Sequence, residues 1–181
     1  MPKLRVYNST SLDGFIADGA GDMSWAHKED AQWREFVNGN ATGGGALLFG
    51  RKTYQMMTQF WPTADAMQWN PIVAERMNNL PKVVFSTSLR EATWNNTRLV
   101  RSDIVSEIQK MKDTPGPDMT IMGSASIVSQ CAQAGLIDEY YVVVNPIVLG
   151  AGLSMFAGVR EKVTLAASRP FENGNVLLTY Q

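Results

Sequence analysis

The chain is poor in the residues that build the most recognisable sites. It has one cysteine, Cys131, and one histidine, His27. A lone cysteine excludes a disulfide framework within the chain, and one cysteine with one histidine cannot supply a His/Cys zinc centre. A Ser-His-Asp triad would have to use His27, and no nucleophile-elbow sequence accompanies it. No apolar run approaches the ~20 residues that span a bilayer. The start, "MPKLRVYNSTSLDG", lacks the apolar core of a secretory signal. Net charge is scarce too: 16 Lys+Arg against 17 Asp+Glu leave −1. Neither nucleic acid nor a membrane is therefore an expected partner. The expectation is a soluble, cytoplasmic protein in which any anion site is local.

What is present suits one domain over residues 1–181: 45% of residues are hydrophobic and 18% charged, enough apolar material for a substantial core. Short β-rich runs alternate with helical patterns. Strands are expected at "KLRVYNST", "ALLFG", "KVVFSTS", "TRLVRS", "MTIMG" and "IDEYYVVVNPIVLG", and two more at "EKVTLAASRPF" and "NVLLTYQ" about the turn "ENGN". Helices are expected at "KEDAQWREFVNG", closed by Gly39, and at "RKTYQMMTQF". Two further helices follow at "SDIVSEIQKMKD", capped by Ser102 or Asp103, and at "SASIVSQCAQAG", closed by Gly135. "WPTADAMQWNPIVAERMNNLP" reads as a surface excursion with one helix near residues 72–79. The order predicts an α/β fold: a central mixed, mostly parallel sheet flanked by helices on both faces, with a C-terminal antiparallel hairpin.

Three strand ends share one chemical character. They are Gly50-Arg51-Lys52-Thr53, Ser86-Thr87-Ser88 and Gly123-Ser124-Ala125-Ser126. Ligands of parallel α/β sheets bind beyond the carboxyl ends of strands. A helix start there offers free N–H groups, glycine permits close approach, and an arginine fork matches phosphate. Singly, each reads as a turn or a cap; together, on one edge, they point to a dinucleotide site. None matches G-x-G-x-x-G or the P-loop pattern. A fourth element, "SLDGFIAD", puts Phe15-Ile16-Ala17 in a polar loop. That step either anchors the loop in the core or covers a flat ring such as nicotinamide, excluding water from a hydride transfer.

The ordered set "SLDGFIAD", "LLFGRKTYQ", "KVVFSTSL", "MTIMGSASIVSQ" and "IDEYYVVVNPIVLGAG" resembles the RibD C-terminal (riboflavin-biosynthesis reductase-like) family, which has a dihydrofolate reductase-like fold. The resemblance covers nearly the whole chain and implies NADPH as cofactor. It implies that Arg51 and Thr53 hold phosphates beside Gly50, with Arg51 selecting NADP. It places Ser86 and Thr87 at the adenosine 2′-phosphate with Arg101 nearby, and Gly123, Ser124 and Ala125 around the pyrophosphate. Ser9, Ile16 and Ala17 would flank the nicotinamide. Dihydrofolate reductases carry Gly-Gly where this chain has Gly123-Ser124, and place an acid on the first helix. Asp30 falls at that position; its structural alternative is a charge at a helix start, favoured by the dipole.

No H-x-E…P-C-x-x-C pattern is present, so deaminase chemistry is not expected. The expected function is an NADPH-dependent reductase of a small heterocyclic or carbonyl substrate, pterin-like or a ribosylamino-pyrimidine, with Asp30 or a water it orders as proton source. The alternative is a non-catalytic nucleotide-binding or regulatory module of the same fold; a structural protein without ligand is a third reading. Trp25, Trp61 and Trp69 are read as packing or as pocket lining, Cys131 as an inert buried thiol, and His27 as a surface or pocket-rim residue. "YYVVVNPIVLG", taken as an edge strand, predicts a homodimer.

Overall fold

The computed structural model describes residues 1–26, 30–41 and 44–181; His27 lies outside them. Strands β1 (Leu4–Thr10) and β2 (Phe15–Ala17) precede helix α1 (Ala31–Ala41). Strand β3 (Ala46–Gly50) leads into α2 (Arg51–Phe60), α3 (Ala64–Trp69) and α4 (Pro71–Asn79). Strands β4 (Lys82–Phe85) and β5 (Thr97–Val100), helix α5 (Ile104–Asp113), strand β6 (Met119–Met122) and helix α6 (Ala125–Gln133) follow. The chain closes with β7 (Glu139–Val144), β8 (Leu153–Ser154), β9 (Leu165–Pro170) and β10 (Val176–Tyr180).

Eight strands form one sheet in the order β5-β4-β3-β6-β1-β7-β10-β9, and β2 pairs with β8 apart from it. Every pairing from β5 to β7 is parallel, and β10 is antiparallel to both β7 and β9. This is the predicted mixed sheet. Alternation along the strands sends Leu4, Val6, Leu48, Val83 and Phe85 to one face, where Ile108 of α5 and Ile127, Val128 and Cys131 of α6 bury them. Leu47, Phe49 and Val84 point the other way, against Tyr54 of α2 and Val73 and Met77 of α4. Further along that second face, Trp33 of α1 packs with Val143, Phe171 and Leu177.

Several expectations change in detail. Helix α1 runs past Gly39 to Ala41. The excursion holds two helices, each started by a side-chain cap: Thr63 accepts from Ala66 N–H and Asn70 from Val73 N–H. The long apolar strand is not an edge. It stops at Val144, where Pro146 two residues on cannot extend the ladder, and β7 lies between β1 and β10; the true edges are β5 and β9. Its β-branched run reflects burial between two neighbours.

The amino edge of the sheet is closed by charge pairs. Glu139, 6% exposed, accepts from Lys3 Nζ at 2.5 Å, Arg5 Nε at 2.7 Å and Tyr141 OH at 3.1 Å. Burial disfavours its charge, but these donors outweigh that and hold it down at about 2. Lys82, 1% exposed, donates to the carbonyls of Met77, Asn78 and Leu80 at 2.8, 3.0 and 2.7 Å, and lies 4.6 Å from the Trp94 ring centre. An ammonium at the carboxyl end of α4 satisfies carbonyls that the helix itself leaves open.

Candidate functional site

Because β1, β3, β4, β5, β6 and β7 all run the same way, their carboxyl ends share one edge. Two of the predicted segments are bonded together there. Gly50 N–H donates to Ser124 Oγ at 2.8 Å, and Ser124 N–H donates to Thr53 Oγ1 at 3.2 Å. Ser124 Oγ in turn donates to the Met122 carbonyl at 3.0 Å. The Ser124 hydroxyl therefore ties β3 to the β6–α6 turn. Gly123 is needed for shape: at φ +59° a Cβ would come within 2.9 Å of Thr53 Cγ2 and Oγ1. Gly50 is not, since it is extended (φ −77°, ψ 162°) and a Cβ would only touch Ser124 Oγ at 3.5 Å. Tight approach at Gly50 is thus not demanded by the protein's own packing.

The starts of α2 and α6 differ from the others. Side chains accept from backbone N–H at the starts of α1 (Asp30), α3 (Thr63), α4 (Asn70) and α5 (Asp103). Gly50 and Ser124 supply no such cap. The N–H groups opening α2 and α6, Ala125 among them, are left without a side-chain acceptor on the same edge. Arg51 opens α2 from an exposed position, with its guanidinium on Gln55 Oε1 at 3.0 Å.

Ser86, Thr87 and Arg101 form a second group beside it. Arg101 donates to the carbonyls of Thr87 at 3.3 Å and Arg90 at 2.9 Å. Ser86 Oγ accepts from the N–H groups of Ser88 and Leu89 at 3.2 and 2.9 Å, which leaves its proton to donate. Ser9 lies on β1 opposite Val143, half-buried. Ile16 and Ala17 are buried in β2, and Ile16 joins the main core, which anchors the loop. Strand β8 comes so near that a Cβ on Gly152 would sit 2.2 Å from the Ala17 carbonyl oxygen.

Asp30 caps α1: its Oδ1 accepts from Trp33 N–H at 2.7 Å. Its Oδ2 is buried with no partner among the described residues. The excursion is fastened at the amino edge, where Asn78 Nδ2 donates to the Trp61 carbonyl at 2.9 Å beside Lys82. Phe60, Trp61 and Trp69 pack on one another there, with centroids 5.1–5.9 Å apart. Cys131 is fully buried, and burial pushes its thiol up to about 12, as an inert core thiol requires.

Two positioning residues escape a reading of motifs. Asn8 exchanges two hydrogen bonds with Gly123, accepting its N–H at 2.5 Å and donating to its carbonyl at 3.1 Å. The signal was a polar residue in the inward register of Leu4, Val6 and Thr10. Asp13 clasps the β7–β8 connection by accepting from Leu149 N–H at 3.1 Å and Gly150 N–H at 2.7 Å. The Ser11 side chain, with these N–H groups, holds the Asp13 carboxyl down at about 2. Two surface clefts, of 320 Å³ around Met1 and Lys112 and of 550 Å³ around Arg34 and Ile72, border none of these residues.

Comparison with known proteins agrees with this layout. The uncharacterised protein YyaP of Bacillus subtilis (strain 168) is 29% identical over 175 residues, 95% of this chain and 90% of its own length. The Thermotoga maritima diaminohydroxyphosphoribosylaminopyrimidine deaminase/5-amino-6-(5-phosphoribosylamino)uracil reductase superimposes with a TM-score of 0.68 at 16% identity. That match covers 99% of this chain and 56% of the other. Dihydrofolate reductase of Enterococcus faecalis, solved with NADP(H), gives 0.66 at 16% identity over 99% and 95%. At such identities the two structures speak for the fold alone, a dihydrofolate reductase-like one. The family follows from the sequence itself: the model of the RibD C-terminal domain matches residues 2–177, and the chain belongs to that family.

Proposed function

We propose that the protein is an NADPH-dependent reductase of a small nitrogen heterocycle of the ribosylamino-pyrimidine or pterin type. The observation that carries this is the pair of uncapped helix starts, α2 and α6, bonded to each other through Gly50, Thr53 and Ser124 at the carboxyl edge of a parallel sheet. Two such starts offer backbone donors to two phosphates. Helix α5 begins on the same edge but is capped by an aspartate, which would repel an anion. The donor set therefore fits a dinucleotide. NADPH, when bound, would supply the hydride.

In this reading Arg51 supplies an exposed cation, and Ser86, Thr87 and Arg101 hold the phosphate that separates NADPH from NADH. Ser9, Ile16 and Ala17 border the nicotinamide, and the Asp13 clasp keeps the loop carrying them in place. Asp30 holds the proton, through the oxygen that the cap leaves unbonded. Fluorescence titration should show NADPH bound more tightly than NADH. Arg51→Ala should weaken NADPH by about tenfold or more, the range of a charge-assisted contact. Equal affinity for both coenzymes in the parent chain would refute the assignment. Asp30→Asn separates capping from chemistry, because asparagine caps equally well: turnover should fall while the melting temperature holds.

A further inference from the structure

Among the described residues, the buried side-chain nitrogen and oxygen atoms without a hydrogen-bond partner come from three residues: Asp30 Oδ2, Asn145 Oδ1 and both polar atoms of Asn175. Buried polar atoms are nearly always paired, so a cluster of exceptions calls for a reason. The three residues belong to one junction. The antiparallel register of β7 with β10 ends at Val144 and Val176, and Asn145 and Asn175 are the next residue on each strand. Alternation puts both on the side of Val143 and Leu177, which Trp33 of α1 covers. Asp30 caps that helix at Trp33 N–H. The turn before Asn175 is fastened to the same helix: Glu172 N–H donates to Gln32 Oε1 at 3.0 Å, and Phe171 meets the Trp33 ring edge-on, centroids 4.9 Å apart. The turn also folds back on the residue after Asn145, since a Cβ on Gly174 would lie 3.1 Å from Pro146 Cγ. We infer that Asn145 and Asn175 form the polar end of the substrate pocket and select a heterocycle whose edge presents an amino group, a ring N–H and a carbonyl, in that order. The inference rests on the reductase reading above and narrows its substrate to this amino-lactam class.

The two amides differ in freedom. Asn145, 1% exposed, donates through Nδ2 to the carbonyls of Thr10 and Val143, both at 3.1 Å. Those partners fix which end of the amide is nitrogen, so the group it offers a ligand is an acceptor. Asn175, also 1% exposed, is bonded through neither side-chain atom and can present its donor and acceptor in either order. Together they offer two acceptors and one donor. An amino-lactam edge brings two donors and one acceptor, and satisfies all three. A dioxo edge brings carbonyl, N–H and carbonyl, and sets one oxygen against Asn145 Oδ1. Buried polar groups reject an analogue that leaves them unpaired far more strongly than an apolar pocket does. The position suits a substrate, because Asn145 N–H bonds to the Thr10 carbonyl at 2.8 Å, at the carboxyl ends of β1 and β7 and on the edge where α2 and α6 begin. Both amides are covered in the free chain. The heterocycle reaches them by displacing the turn at 171–175, whose tether to Gln32 lies at the surface.

Two fluorescent probes titrated into the coenzyme-free chain test this. Pterin carries the amino-lactam edge; lumazine is the same bicycle with a carbonyl in place of the amino group. Pterin should bind about tenfold or more tightly than lumazine. Asn175→Leu should weaken pterin by a similar factor, and its melting temperature should not fall, because the change breaks no side-chain hydrogen bond. Equal affinity for the two probes in the parent chain overturns the inference, as does failure to bind either. Pterin binding that Asn175→Leu leaves intact overturns it too. The NADPH titration separates the two claims: NADPH bound without a preference for pterin sinks this inference alone, whereas a preference for pterin without NADPH keeps the amide pair as a heterocycle site and sinks the reductase reading.

Discussion

The two edges of the sheet are built on opposite plans. At the amino edge, charges are matched to fixed partners: buried Glu139 with Lys3 and Arg5, buried Lys82 with three carbonyls, and half-buried Lys112 with the exposed Asp138. At the carboxyl edge, the turns are glycines and hydroxyls, two helices start without a cap, and Arg51 reaches into solvent. Groups already satisfied inside the protein have little left to give a ligand, and groups left open cost stability until one arrives. The amino edge holds the fold; the carboxyl edge holds the donors.

Substitutions at the two edges should therefore separate stability from binding. The largest loss is expected from Lys82→Met, which strips three carbonyls of their donor; urea unfolding should show a deficit of about 3 kcal/mol or more, with NADPH affinity of the folded protein unchanged. Next comes acid. The Glu139 carboxyl is depressed from 4.5 to about 2, so its contribution is full above pH 4.5 and is lost as pH falls towards 2. Unfolding between those limits should reveal up to about 3 kcal/mol that Glu139→Gln removes in advance. At the other edge, Gly123→Ala forces a Cβ onto Thr53 in a left-handed backbone. It should cost about 2 kcal/mol and also abolish coenzyme binding. Gly50→Ala should be nearly silent in unfolding, within about 0.5 kcal/mol, yet weaken NADPH. If it is silent in both, no phosphate approaches Gly50 and the contrast between the edges loses its functional half.

The sequence was legible where local chemistry decides. Periodicity gave the strands and helices of the core, and Ser102-Asp103 announced the start of α5, where Asp103 is the cap. The three strand-end motifs were readable because parallel strands must end together, and the sheet places them on one edge. Lateral order was not readable: nothing in "YYVVV" tells a strand flanked by β1 and β10 from one at an edge, since both are apolar. Nor does "NST" reveal that Asn8 reaches Gly123, a contact spanning 115 residues. Asp30 was ambiguous for a different reason: capping a helix and moving a proton ask for the same side chain.

The strand order also dictates when the molecule can assemble. During synthesis β3, β4 and β5 emerge in succession and can pair at once, but β1, made first, finds no partner until β6 appears, 115 residues after it. At about 5–20 residues per second the ribosome keeps that strand waiting for roughly 6–23 s. Strand β6 then arrives between β1 and β3 and joins both in one step. A nascent chain halted before Met119 lacks the strand that joins β1 to β3 in the sheet.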